Sequence, residues 1–204
     1  GWTARCSRRF RTTQRPCRTE PRPRAPQPDA VILWISDMPE LNEQTRLKIE
    51  SKSDKVYRVS QLVTIDAYFD APQLEGGRIY FINPQKLAIN QPLTNRGDGR
   101  QHLIWETLTN TAHAIPDRFY VVIDEAHRGM TRGQAAAQAQ TLMQRFLLGY
   151  PEVGLVKMPM VIGVSATPKR LLDLIANAEH TVTTHKVAVP AEEVRKSGLL
   201  KDRI

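Results

Sequence analysis

The 204-residue chain contains no Gly–Lys dipeptide. The phosphate-cradling loop G-x-x-x-x-G-K-[ST] is therefore absent from these residues rather than degenerate. Cysteine is nearly absent too. Cys6 and Cys17 both fall in the first 29 residues, too few for a disulfide framework and without a zinc-type spacing. A body free of cysteine suits a reducing compartment, and the expected location is the cytoplasm. No apolar run approaches the ~18 residues that would span a bilayer, so no membrane partner is expected. There are no internal repeats. What remains is an ordinary globular balance, 41% hydrophobic and 25% charged, with length enough for one α/β domain and a tail.

The formal charge of +8 suggests nucleic acid until it is located. Residues 1–30 carry eight arginines against Glu20 and Asp29, so most of the excess sits there and the rest of the chain is close to neutral. A body that binds nucleic acid must then use a local patch rather than bulk charge. Residues 1–29 also hold five of the fourteen prolines, no lysine and no apolar periodicity. They read as a disordered basic arm. A secretory signal is excluded by the missing apolar segment, and the prolines oppose the amphipathic helix of a transit peptide. Another reading makes residues 1–28 foreign to the domain, translated out of frame. The expected division is thus a tail over 1–29 and a body over 30–204.

In the body, short apolar runs alternate with helical periodicity. "AVILWIS" is a strand, and "DMPELNEQTRLKIESKS" a helix with Asp37 as N-cap and Pro39 in its first turn. "YRVSQLVTID" and "GRIYFIN" are further strands. Residues 102–115 put Ile104, Leu108, Ala112 and Ile115 on one helical face. "RFYVVID" is a buried strand. A helix over 134–148 stops at Gly149–Tyr150–Pro151. "MPMVIGVSATP" reads as another buried strand, "PKRLLDLIANA" as a helix and "HTVTTHKVAV" as a last strand. Strands apolar on both faces, separated by helices, predict a mostly parallel sheet covered by helices.

Two stretches carry chemistry. In "FYVVIDEAHRGM" an apolar strand runs into Asp124 and Glu125. Ligands of open parallel sheets bind beyond the carboxyl ends of the strands. A carboxylate there suits hydrated Mg²⁺, and its neighbour can deprotonate a water for attack on a γ-phosphate. The bland alternative is an acidic pair that merely ends a strand. In "VIGVSATPKR", Ser165 and Thr167 could bond to an acidic motif on the adjacent strand; alone, this is an ordinary strand-to-helix turn. A zinc-protease reading fails because "DEAH" lacks a second histidine one helical turn away. His180 and His185, five apart on an expected strand, face opposite ways and make no metal site.

Taken together, "VVIDEAH" and, about forty residues later, "GVSATP" resemble motifs II and III of DEAH-type superfamily 2 helicases and translocases. "VILWISDMPELNEQT" looks like motif Ia and "IYFINPQKL" like motif Ib. The texture of "FIN-x-QKL" and "PDRFYVVIDEAHRG" is most similar to the helicase subunit of type III restriction enzymes. The resemblance covers residues 30–204 and implies an incomplete first RecA-like domain, a three-layer α/β fold of P-loop NTPase type. It implies ATP and Mg²⁺ as cofactors, with Asp124 holding Mg²⁺ through water and Glu125 as the base. His127 would couple the nucleotide site to motif III, which is Ser165, Ala166 and Thr167. Ser36, Gln44 and Thr45 would touch the nucleic-acid backbone from motif Ia, and Asn83, Gln85 and Lys86 from motif Ib. DNA is the implied substrate, and a modification or specificity subunit the implied protein partner.

The family needs the phosphate loop some tens of residues before motif Ia, where the Arg/Pro-rich stretch stands here. It also needs a second RecA-like domain with an arginine finger, whose removal costs roughly 10³–10⁵ in rate in related systems. The chain alone is therefore expected to hydrolyse ATP at near-background rate. The alternatives are a non-catalytic remnant that keeps the fold and a weak nucleic-acid surface, or a fragment without function.

Overall fold

The computed structural model describes residues 27–53, 61–97, 99–124, 144–165, 183 and 185–196. Five strands form one sheet: β1 (Val31–Ile35), β2 (Leu62–Thr64), β3 (Ile79–Ile82), β4 (Phe119–Ile123) and β5 (Val161–Gly163), in the order β2-β3-β1-β4-β5. Every pairing is parallel. Helix α1 (Pro39–Lys52) follows β1, α2 (Ile104–Ala114) leads from β3 to β4, and a short α3 (Ala191–Lys196) comes last. The sheet with its helices is the parallel α/β architecture that the alternation of elements predicts, and it fits the three-layer RecA-like fold that the resemblance implies.

The core lies where strand alternation meets helical periodicity. Val31, Leu33 and Ile35, each 0% exposed, point from β1 to the same side as Phe119 and Val121 of β4. Against them pack Ile104, Leu108 and Ala112 of α2, with Ile115 partly buried beside them and Phe146, Leu155 and Met158 closing the cluster. These are the positions the helical spacing picked out. Each large side chain buried this way contributes about 1.5–3 kcal/mol relative to exposure. Two polar residues enter the same face. Thr107 Oγ1 donates to Ala71 O at 2.6 Å, while Thr111 Oγ1 donates to Thr107 O at 2.7 Å and accepts Leu74 N–H at 2.9 Å. They tie the crossover after β2 to α2 and satisfy backbone groups that burial would otherwise strand.

Several expectations are corrected. The N-cap of α1 is Met38, without a side-chain cap, and Pro39 stands at the first helical position. Asp37 lies one residue too early, and its carbonyl is taken by Gln85 instead. The β5 strand is not buried: Ile162 is 42% and Val164 46% exposed, because among the described residues β5 pairs with β4 alone. Residues 183 and 185–189 hold no strand, and Val187 is 91% exposed. The helix ending at Leu148 is seen over 144–148, with Gly149 at φ +85° and its N–H on Arg145 O; its earlier part and the helix after Pro168 lie outside the described residues. Gln27 and Asp29, placed in the tail by composition, contact the body through Tyr120 and Arg118.

Candidate nucleotide and nucleic-acid rim

Parallel strands bring all their carboxyl ends to one rim, and the register fixes which residues share it. Ile35 pairs with Ile82 and with Ile123, Ile123 with Gly163, and Thr64 with Phe81. The next step along each strand sets Asp66, Asn83, Ser36, Asp124 and Val164 in one row. Strands sit about 4.8 Å apart. Asp124 is thus one spacing from Ser36 and one from the β5 end, where Ser165 follows.

Asp124 is half-buried immediately past β4, not within it. Its N–H donates to Ile35 O at 2.8 Å, and Val164 N–H donates to Ile123 O at 2.9 Å. The β-ladder therefore continues one residue beyond the named strands and aligns the turns that carry Asp124 and Ser165. Ser165 is also half-buried. Glu125, His127, Ala166 and Thr167, and the neighbouring Arg128, lie outside the described residues.

On the other side of β1 the rim is closed by side chains. Asn83, 7% exposed, donates from Nδ2 to Ser36 O at 2.9 Å. Asn42, 5% exposed, donates from Nδ2 to Ile82 O at 3.1 Å. Gln85 Nε2 donates to Asp37 O at 3.0 Å, and Lys86 Nζ to Ile65 O at 2.7 Å. These groups prolong the sheet's hydrogen bonding past its strands. They also bind the segment after β3 to the segments after β1 and β2. Ser36 itself is 1% exposed, and its hydroxyl, like Asn42 Oδ1, is buried with no hydrogen-bond partner among the described residues.

The residues expected on a nucleic-acid backbone therefore separate. Gln44 and Gln85 are exposed, Thr45 and Lys86 half-buried. Ser36 and Asn83 lie beneath the surface, where Asn83 holds the rim through its side-chain amide and Ser36 through its backbone carbonyl. Asn42 was missed by sequence reasoning, because a polar residue on a largely polar helix carries no mark of burial. Tyr68, 90% exposed in the turn after β2, was missed although an aromatic in an Asp-, Ala- and Pro-rich stretch is a readable signal.

That turn is rigidly held. Tyr68 N–H donates to Asp66 Oδ1 at 2.9 Å. Asp70 accepts Gln101 N–H at 2.8 Å and His102 N–H at 2.9 Å. The Gln101 amide above all, with His102 and the Arg100 charge adding to it, holds the Asp70 carboxyl below the usual aspartate range. Among the described residues no group of three or more His, Cys, Asp or Glu is placed to hold a metal. A single carboxylate at the strand end still suits a hydrated Mg²⁺, which keeps most of its waters.

A family model described as "Type III restriction enzyme, res subunit" matches residues 24–170. The chain belongs to this family. The match spans β1 to β5 and both candidate motifs, and it begins close to the point where Gln27 first meets the body. Membership makes this a helicase-type ATPase domain of the restriction-enzyme kind, with ATP-dependent action on nucleic acid as its general character. A search of curated proteins returned no match to the chain. No helix among the described residues is long and apolar enough to cross a membrane.

Proposed function

We propose that the chain is the nucleotide-facing half of a DNA helicase or translocase motor, inactive as an ATPase by itself. The observation that carries this reading is Asp124 standing just past β4 beside the end of β5, in a chain of this family. In this reading Asp124 holds Mg²⁺ through water, and the ion supplies charge neutralisation on the triphosphate. Glu125 orients a water and takes its proton. His127 and the Ser165–Ala166–Thr167 turn pass the state of that site to the rest of the motor. Gln44, Thr45, Gln85 and Lys86 meet the nucleic-acid backbone, while Ser36 and Asn83 position the segments that carry them. Residues 1–29 form a basic tail whose end, at Gln27 and Asp29, is tied to the body, 30–204 form the motor domain, and a modification or specificity subunit is the protein partner.

Paramagnetic Mn²⁺ with ATP, titrated into the labelled chain, tests the metal assignment. Resonances of Asp124 and Ser165 should broaden, and Asp124→Asn should remove the effect; broadening centred elsewhere overturns the assignment. Hydrolysis should stay near background because no Gly–Lys loop lies in these residues. Mg²⁺-dependent ATPase activity abolished by Glu125→Gln would refute the inactivity while supporting the base. The same missing loop favours one second reading, a non-catalytic module of the same fold. Binding of DNA without any binding of nucleotide would support it.

A further inference from the structure

Beside the rim, between the turn after β2 and the loop after β3, lies an open cavity of about 430 Å³. Tyr68, with Ala67 and Asp70, lines it from the turn after β2, and Asn90, Gln91, Asn95 and Arg100 line it from the loop after β3. We propose that this cavity takes an unpaired nucleobase of a nucleic-acid strand, stacked on the Tyr68 ring and met at its edge by the amides of that loop. The proposal rests on the nucleic-acid reading above and names a contact of a different kind from the backbone contacts assigned there.

Both linings are built before any ligand arrives. On the first, Arg100 donates to Phe69 O at 2.5 Å and to Ala67 O at 2.6 Å, and Asp66 and Asp70 fix the turn from either side. Tyr68 is nevertheless 90% exposed. A rigid turn thus holds an aromatic ring out in water, while the next residue, Phe69, packs edge-on against Tyr80 with ring centroids 6.1 Å apart. On the second, Leu87 at 1% and Leu93 at 0% exposure anchor the loop. Thr94 Oγ1 donates to Ala88 O at 2.7 Å and accepts Gln91 N–H at 3.2 Å. Asn90 adopts φ +65°, the one non-glycine residue in the left-handed region among those described. The exposed groups so presented are amides, each carrying a donor and an acceptor.

A flat ring and several amides lining one cavity suit a flat ligand with a hydrogen-bonding edge. Position separates a base on a strand from the base of a free nucleotide. The turn after β2 lies three strand spacings from β4, or about 14 Å across the rim from the Asp124 row. A strand laid over Gln85 and Lys86 passes directly by the cavity. A triphosphate held near Asp124 sits on the far side of β1.

The full chain should be titrated by fluorescence anisotropy with single-stranded oligothymidylate of about 12 nucleotides and with an abasic oligomer of equal length. Tyr68→Ala should weaken the base-bearing strand roughly 5- to 150-fold, the range for losing one base–aromatic stack, and leave the abasic strand unchanged. Tyr68→Phe should bind like the wild type. The slope of log affinity against log salt should be the same in all three proteins, since a stack neutralises no phosphate. ATP in millimolar excess should not displace the strand. Equal binding by the wild type and Tyr68→Ala, with both strands bound, overturns the stacking site and leaves the backbone reading standing. Displacement by ATP overturns the strand as the source of the base. Failure of the wild type to bind either strand overturns the nucleic-acid reading itself and the site with it.

Discussion

At the scale of single residues, the rim depends on amide side chains standing in for backbone. Asn83 Nδ2 on Ser36 O is the clearest case, since both groups are buried. Asn83→Ala leaves that carbonyl dry and unpartnered and should cost about 1–3 kcal/mol, read from the midpoint of urea unfolding. Asp70 allows a pH prediction. Its carboxyl lies below the ordinary aspartate value because the Gln101 amide, then His102 and Arg100, favour the charged form. A depressed carboxylate stabilises the fold above its unfolded value, and that contribution is lost as pH falls through the folded one. The Gln101 and His102 amides should keep their protection from hydrogen exchange above about pH 4 and lose it in stronger acid. Asp70→Asn should blunt that dependence, and unchanged protection through the acid range in the native chain would contradict the assignment.

At the scale of elements, periodicity was a good guide wherever one face is apolar. Helix α2 follows Ile104, Leu108 and Ala112 from sequence to core without change, and β4 runs its apolar stretch to Asp124 as expected. The guide failed where the deciding partner lies far along the chain. Nothing near Val161 reveals that β5 pairs with β4 alone among the described strands, so an apolar run looks buried when half of it is exposed. The cap of α1 was misplaced because sequence preference strongly favours Asp37 over Met38, whereas the helix starts one residue later and the Asp37 carbonyl is held by Gln85, 48 residues away. Within α2 the buried threonines were hidden for the same reason, as their partners Ala71 and Leu74 belong to the crossover. Thr111→Val keeps the shape of the side chain but deprives Leu74 N–H of its acceptor. It should lower stability by about 1–3 kcal/mol, and a loss no larger than that of an exposed substitution would argue against the bond.

At the scale of the molecule, most of the net charge and the family match fall on different stretches of the sequence. Most of the +8 excess belongs to residues 1–30, whereas the match to the restriction-enzyme family starts at residue 24 and runs through the sheet. Deleting residues 1–23 should therefore flatten the salt dependence of strand binding, by up to one unit of slope for each phosphate its arginines neutralise. Thermal stability should be nearly unchanged, because Gln27 and Asp29 with their contacts to Tyr120 and Arg118 are retained. A large fall in melting temperature would mean that the deleted residues belong to the folded unit. The family and the parallel sheet were legible from motif spacing and alternation, whereas the order of the strands was not. The division of the rim into solvent-facing and load-holding residues was not, because Ser36 and Gln44 look equally polar in one dimension.

The amide clasp from Asn83 to Ser36, doubled by Gln85 on Asp37, has a mechanical side. The two loops it joins leave neighbouring strands, and parting them breaks both bonds. If both grip the same polynucleotide, they advance or halt together.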